Sequence, residues 1–506
     1  VKNPLTGINK SDYSPLDRLA AAVVVAIVAL LLLVAAFASF RNTLLHFLPD
    51  DCFYYLEISR RIWMGQGSTF DGINRTNGYH PLWLVCLIPV APIMNASREA
   101  GARVVMVLCI LLLGTALFLL RSISAGYSVS NRWVALLLPA VVLLPAAFYG
   151  MESALAALVL TALLVVIARA EKSFTFGNMA VLGLLSGALI LARLDSALYV
   201  FTLDLILAFQ VARASCPRVS LQHLLLGVVL QSAIVAPYLA FNLIEFKHLL
   251  PISAVFKAAR AQAPNLYWAR SLMALVSIGG TLVGLGVTWL EPRVRDSLVW
   301  LVAMYGSVLT LALAAATGGR ESYSWTFTLP VICSGLFFAG LADVAKKRGS
   351  PTTLVNSVAF VGCLVLLAVS IAGRLGEPQF ASRFDRAKWI GANAPANAVF
   401  AAGNSGGLGY FSEHSFINVD GLTNSFAFGE AVRDGREAEW LKAAGLNFAT
   451  IVKAHSGQVM ATPIKTKLTL RGSVSRTVCL TLEPLTPNVS SDQFELLRVV
   501  NVEKCP

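Results

Sequence analysis

Pro81-Leu82-Trp83-Leu84-Val85-Cys86-Leu87-Ile88-Pro89-Val90-Ala91-Pro92-Ile93-Met94 decides how this chain is threaded. The stretch is apolar throughout, yet it has 14 residues and carries prolines at 81, 89 and 92. A membrane-spanning helix takes about 20 apolar residues, and runs of roughly 10–14 are more often re-entrant or interfacial. Setting it aside leaves eleven runs able to cross: 19–40, 102–120, 133–149, 153–168, 178–192, 197–212, 222–243, 272–290, 297–316, 327–342 and 352–373. Charge tests that choice. With the N-terminus inside, the inner side receives Lys2, Lys10 and Arg18, then Arg121/Arg132, Arg169/Lys172, Arg213/Arg218, Arg293/Arg295 and Lys346/Lys347/Arg348. Every short inside connection then holds at least two basic residues, as the positive-inside bias requires. If 81–94 spans, those loops all face out. The expectation is eleven spans, N-terminus in and C-terminus out.

Composition agrees. Of 506 residues, 56% are hydrophobic and 13% charged, against roughly 45–50% and about 25% in soluble domains. A soluble enzyme is excluded. The tail differs, because residues 374–506 hold 14 Lys/Arg and 12 Asp/Glu, close to a soluble domain's charge density. The expected architecture is a polytopic α-helical membrane module over 1–373 and an extracytoplasmic α/β domain over 374–506. Helices are expected at 383–393 and 436–445, and strands at 397–402, 416–419, 447–453, 476–483 and 495–502. The net charge of +12 reads as loop bias and not as a nucleic-acid surface. The cysteines show no zinc spacing; Cys479 and Cys505, both in the tail, are able to pair if it lies outside. The first apolar run, Leu19 to Phe40, is longer than the apolar region of a cleavable signal. Gly403-Asn404-Ser405-Gly406-Gly407-Leu408-Gly409 lacks the G-x-G-x-x-G spacing of a dinucleotide loop.

The first outer loop, 41–101, opens with Leu48-Pro49-Asp50-Asp51-Cys52-Phe53-Tyr54-Tyr55-Leu56. Phe53 to Met64 reads as an amphipathic interfacial helix with Arg60 and Arg61 set to meet phosphate headgroups. A Gly65-Gln66-Gly67 turn follows, and the loop closes with Arg75-Thr76-Asn77-Gly78-Tyr79-His80-Pro81-Leu82-Trp83. Three readings of Asp50-Asp51 stand open: ligands of a divalent cation, a general base, or a cap for the following helix. In the eleven-span threading Glu57, Asp71, Glu99, Glu152, Asp195, Glu245 and Glu321 fall on the same outer side. Ionisable groups at membrane depth are costly and usually functional. The outer face is therefore the expected active face.

This loop resembles the first outer loop of the GT-C glycosyltransferases, integral membrane enzymes that use polyprenyl-phosphate-linked sugars. Gly150-Met151-Glu152-Ser153, Leu191-Ala192-Arg193-Leu194-Asp195, Leu250-Pro251-Ile252-Ser253 with Lys257, Gly407-Leu408-Gly409-Tyr410 and Asn418-Val419-Asp420-Gly421-Leu422 are similar to later family segments. The nearest resemblance is to bacterial arabinofuranosyltransferases. It implies an inner-membrane enzyme with an extracytoplasmic site. That enzyme would move a sugar, D-arabinofuranose by this likeness, from a polyprenyl phosphate to a glycan, lipid or protein acceptor with inversion. Asp50 is then the expected base, with Asp51 orienting the site or a divalent cation. Arg75, His80, Arg193, Lys257 and Arg320 are the candidates for holding the phosphate. Tyr79 and Asp195 are expected near substrate, and Glu152 in acceptor binding or support. The bland readings are that Arg193 pairs with Asp195 and that Lys257 snorkels. Residues 244–271, with Lys247, His248, Arg260 and Arg270, read as a lid, and 318–325 as a cavity wall or aromatic belt. The alternative function is a lipid-linked glycan flippase. It would want a polar path through the membrane, whereas Asp204 is the one charge deep inside a run and no repeat halves stand out.

Overall fold

The three prolines break 81–94 into a helix Pro81–Leu87, a single 3-10 turn Ile88–Val90 and a helix Ala91–Ala96. Pro81 and Pro92 each sit in the first turn of a helix, where a missing N–H costs nothing. The computed structural model describes residues 14–505 apart from 127–131, 172, 213–218, 260–268, 270, 292–293, 295, 318–323, 373–378, 453–463, 472–473, 486–489 and 492. Lys2, Lys10, Lys172, Arg213, Arg218, Arg260, Arg270, Arg293, Arg295, Arg320 and Glu321 therefore lie outside the described residues. Each of the eleven apolar runs contains a helix, from Pro15–Phe37 to Thr352–Ala372. Among the described residues nine helices are long and apolar enough to cross a membrane, and Phe176–Ala192 is a shorter apolar one. The chain is a polytopic helical membrane protein.

Arg132–Leu143, Ser153–Ala170 and Thr328–Lys347 form the buried centre of the bundle. Pro15–Phe37 and Leu221–Phe246 expose Leu30, Leu33, Val229 and Ile244, as lipid-facing helices do. Small residues bring helices together. A Cβ on Gly183 would collide with the Gly227 carbonyl of the neighbouring helix. Asp204 accepts a hydrogen bond from Gln231 Nε2 at 3.3 Å, so this polar group inside a span is matched by a polar neighbour.

The tail is β-rich. Val399–Ala402 pairs in parallel with Ser415–Asn418. Phe448–Val452, Phe494–Lys504, Ser475–Pro484 and Ile464–Arg471 lie side by side in that order as an antiparallel sheet. Helices Gln379–Asn393 and Glu437–Ala443 fall where the pattern placed them. Gly406–Ser412 and Phe426–Asp434 are additional helices. Cys479 and Cys505 form a disulfide.

Two packing regions bind tail to bundle. Phe53 of the first loop meets Tyr410 and Phe411, and Phe40 meets Phe384 and Phe411, with ring centroids 5.0–5.9 Å apart. The second core holds Phe428, Val432, Leu441 and Leu470 of the tail, and receives Ile252 and Phe256 from the helix Ile252–Ala259. The helix Ile252–Ala259 thus has one face sunk in the tail.

The helix after the first span is packed inside the protein and does not lie bare on its surface. It runs Asp50–Trp63 and is buried from Cys52 to Arg61. Arg60 and Arg61 do not face headgroups, because both converge on Glu57, at 2.6 and 2.8 Å from Oε1. The i,i+3 and i,i+4 spacing lets one carboxylate match two guanidiniums, and a buried charge needs such a partner.

Candidate active site

Asp51, Tyr54, Tyr55 and Ile58 share one face of the Asp50–Trp63 helix, at i, i+3, i+4 and i+7. That face opens onto a cavity of about 420 Å³, within the ~300–1,000 Å³ of small-molecule sites. Tyr79 and His80 of the first loop, Glu152, Arg193 and Asp195 at bundle helix ends, Lys257 of the Ile252–Ala259 helix and Leu422 and Thr423 of the tail also line it. The fold therefore gathers Asp51, Tyr79, His80, Glu152, Arg193, Asp195 and Lys257 into one space. Arg75 lies outside it, more than half exposed, with Nη1 4.0 Å from Glu245 Oε1. Among the described residues no group of three or more His, Cys, Asp or Glu is arranged to hold a metal ion.

Adjacent helical residues diverge by roughly 100°, and Asp50 and Asp51 accordingly face different surroundings. Asp50 accepts hydrogen bonds from the backbone N–H groups of Gly406 at 2.7 Å and Gly407 at 2.9 Å. Burial raises its pKa, and those two N–H groups oppose the rise. One turn on, Tyr54 Oη accepts from the Ser405 N–H at 3.0 Å and from Asn418 Nδ2 at 2.7 Å. Asp50 is thus latched to a tail segment 356 residues away, and Tyr54, at the edge of the cavity face, reaches the same segment with its hydroxyl. Asp51 faces the cavity. Burial pushes its pKa up to about 7; Lys257 opposes the shift, while Asp50, Glu152 and Asp420 add to it.

The latch makes a prediction. Asp50→Asn keeps the shape but puts an amide NH2 against an N–H donor, so one of two charge-assisted bonds is lost. Hydrogen bonds to charged groups contribute about 1.5–3 kcal/mol. Thermal unfolding should show a loss of that order, while turnover per folded molecule stays near wild type. Unchanged stability with collapsed turnover would instead return Asp50 to the chemistry.

Arg193 holds the bundle wall of the cavity. Its Nη1 lies 2.7 Å from Glu152 Oε1, its Nε 2.7 Å from Asp195 Oδ1, and its Nη2 3.0 Å from Asp195 Oδ2. The pairing with Asp195 that sequence proximity suggested is present, with Glu152 as a second partner. His80 Nδ1 accepts the Leu194 N–H at 3.1 Å, which fixes the tautomer with its proton on Nε2. Nε2 faces Glu152 Oε1 at 3.6 Å. Burial lowers the His80 pKa against the pull of Glu152, so the ring is neutral at pH 7. The Tyr79 hydroxyl shares a hydrogen bond with Ser68 Oγ at 2.8 Å, and burial pushes its pKa up to about 12.

Sequence reasoning missed the residues that seat the Ile252–Ala259 helix. Asn77 Oδ1 accepts the Ile252 N–H at 2.9 Å, its Nδ2 donates to Asn242 Oδ1 at 3.2 Å, and Asn242 Nδ2 donates to the Leu249 carbonyl at 3.0 Å. Beside it Gly78 lies against the Leu422 carbonyl, with no room for a Cβ. The adjacent Asn77-Gly78 was visible in the sequence; its partners, far along the chain, were not.

Fold and cavity together define a polytopic helical membrane protein whose β-rich C-terminal domain helps to line a cavity that is mostly apolar and carries a few charged and polar groups. In fold it is similar to ArnT from Cupriavidus metallidurans bound to undecaprenyl phosphate, with TM-score 0.55 and 15% identity over 94% of this chain and 97% of that one. The apo state of the same ArnT matches with TM-score 0.53 over the same shares of the two chains. Residues 373–480 match a family described as a domain of unknown function, DUF8728. No curated protein matches the chain significantly.

Proposed function

We propose that the chain is an inverting glycosyltransferase that moves a sugar from a polyprenyl phosphate to an acceptor hydroxyl, with Asp51 as general base. The observation that carries the reading is the carboxylate of Asp51, in a cavity it shares with Lys257. Two further observations support it: Asp51, His80, Glu152, Arg193, Asp195 and Lys257, from several of the GT-C-like segments, line this cavity, and a protein of similar fold was crystallised with undecaprenyl phosphate. In the step proposed, Asp51 takes the acceptor's proton as the acceptor oxygen attacks the anomeric carbon. The bond from that carbon to the phosphate oxygen breaks, and the lipid phosphate leaves with the electron pair. Lys257 holds the departing phosphate. Arg193, engaged by two carboxylates, positions the bundle wall and does not contact the donor. D-Arabinofuranose is the proposed sugar, and a glycan, lipid or protein outside the membrane the proposed acceptor.

Membranes containing the protein, given synthetic polyprenyl-phospho-arabinofuranose or polyprenyl-phospho-mannose, should release sugarless polyprenyl phosphate with one of them. Release from neither, in protein shown to be folded, would sink the reading. Lys257→Ala should weaken donor use about tenfold or more, the equivalent of one charge-assisted phosphate contact. Unchanged donor kinetics would remove Lys257 from the phosphate site.

A further inference from the structure

Buried polar atoms are normally hydrogen-bonded, and each exception needs an explanation. Three such atoms belong to residues that line the cavity, and one of them, Asp195 Oδ1, is met by Arg193 Nε at 2.7 Å. Thr423 is 3% exposed, and its Oγ1 has no hydrogen-bond partner among the described residues. Glu152 is 1% exposed; Arg193 occupies its Oε1, while its Oε2 has no partner among the described residues. Glu152 comes from the bundle and Thr423 from the tail, so both parts of the chain bring an unmatched oxygen to the lining of one cavity.

The loop that carries Thr423 is firmly set. Gly421 takes φ +78°, open to glycine, and a Cβ there would come within 2.7 Å of the Phe256 ring. The Leu422 carbonyl rests on Gly78, and Asn424 Nδ2 donates to the Asn418 carbonyl at 2.8 Å. A hydroxyl held that rigidly without a partner is preorganised for one that arrives from outside. The charge of the cavity limits what can arrive. Asp51, Glu152 and Asp195 face Arg193 and Lys257 there, with His80 neutral. A second anionic group beside the phosphate would meet Glu152 and Asp195. A sugar hydroxyl suits both open positions, since it can donate to the carboxylate oxygen and exchange a hydrogen bond with the threonine.

We propose that Thr423 Oγ1 and Glu152 Oε2 form the hydroxyl-binding subsite for the transferred sugar, and that this sugar is neutral and polyhydroxylated. The inference rests on the glycosyltransferase reading and makes the tail domain a part of sugar recognition. The test measures binding of decaprenyl phosphate, decaprenyl-phospho-arabinofuranose and decaprenyl-phospho-mannose to the full chain in lipid nanodiscs. Wild type should bind at least one sugar-bearing lipid more tightly than the sugarless one. Thr423→Val removes the hydrogen bond at nearly constant volume, and should shrink that preference about three- to tenfold. Thr423→Ser should keep it. Unaltered binding of decaprenyl phosphate reports that each variant is folded. A sugar preference that survives Thr423→Val, or a wild type without any preference, overturns the subsite and leaves the transferase reading intact. A wild type that binds none of the three lipids overturns both.

Discussion

Asp51→Asn is expected to lower turnover by about 10²–10⁴-fold, the contribution of a positioned general base, while donor affinity stays nearly unchanged. Asparagine preserves the volume and the helix, but at neutral pH it cannot accept the acceptor's proton. The pH profile supplies a second readout. Because burial among other carboxylates pushes the Asp51 pKa up to about 7, the base form is lost as pH falls through that value. Below it, kcat/KM should fall about tenfold per pH unit, so activity at pH 6 is about a tenth of the plateau. The limb must be absent from the residual activity of Asp51→Asn. A fully active variant would show that Asp51 is not the proton acceptor. A wild-type limb centred near pH 4 and absent from the variant would show that Asp51 acts with an ordinary carboxylate pKa.

How far the sequence reached can be judged at the acidic pair. That two adjacent carboxylates on a helix diverge by roughly 100° follows from helix geometry alone. Which of them meets solvent, substrate or protein depends on Gly406 and Gly407, more than 350 residues away, and no local pattern encodes that. The same limit hid the burial of the helix. Arg60 and Arg61 look like headgroup ligands until Glu57 is seen between them and the tail covers the remainder.

Periodicity served better in regular elements. The expected strands 447–453, 476–483 and 495–502 appear as Phe448–Val452, Ser475–Pro484 and Phe494–Lys504. Ile464–Arg471 was not singled out, although its apolar residues alternate with Lys and Thr as a strand's should. Gly406–Ser412 was not among the expected helices, and glycine is a poor helix former. Its glycines leave the N–H groups accessible to Asp50, an arrangement propensity cannot anticipate. The apolar lengths located the helices of the bundle, and the prolines of 81–94 fall where that stretch breaks into short helices.

Arg193→Met is expected to destabilise the folded protein by about 3–5 kcal/mol, the cost of leaving a buried carboxylate without its cation. Glu152 loses its partner at 2.7 Å while remaining 1% exposed. Replacing both members, as Arg193→Met with Glu152→Gln, removes the uncompensated charge and should restore much of the stability, since a neutral pair often costs little. The pH dependence follows from His80. Arg193 lowers the pKa of that ring and Glu152 raises it, so removing the guanidinium raises it relative to wild type. The unfolded state is common to both proteins, so a histidine pKa higher in the folded variant than in folded wild type narrows the stability gap at low pH and leaves it full at high pH. The single variant should therefore be closest to wild type near pH 5 and furthest from it near pH 8, as imidazolium takes over the pairing with Glu152. Thermal unfolding of purified protein at those two pH values measures this directly. A single variant as stable as wild type at pH 8 would show that Arg193 does not anchor the wall. Its charge would then be available to the donor phosphate, and donor affinity in the same variant would have to fall.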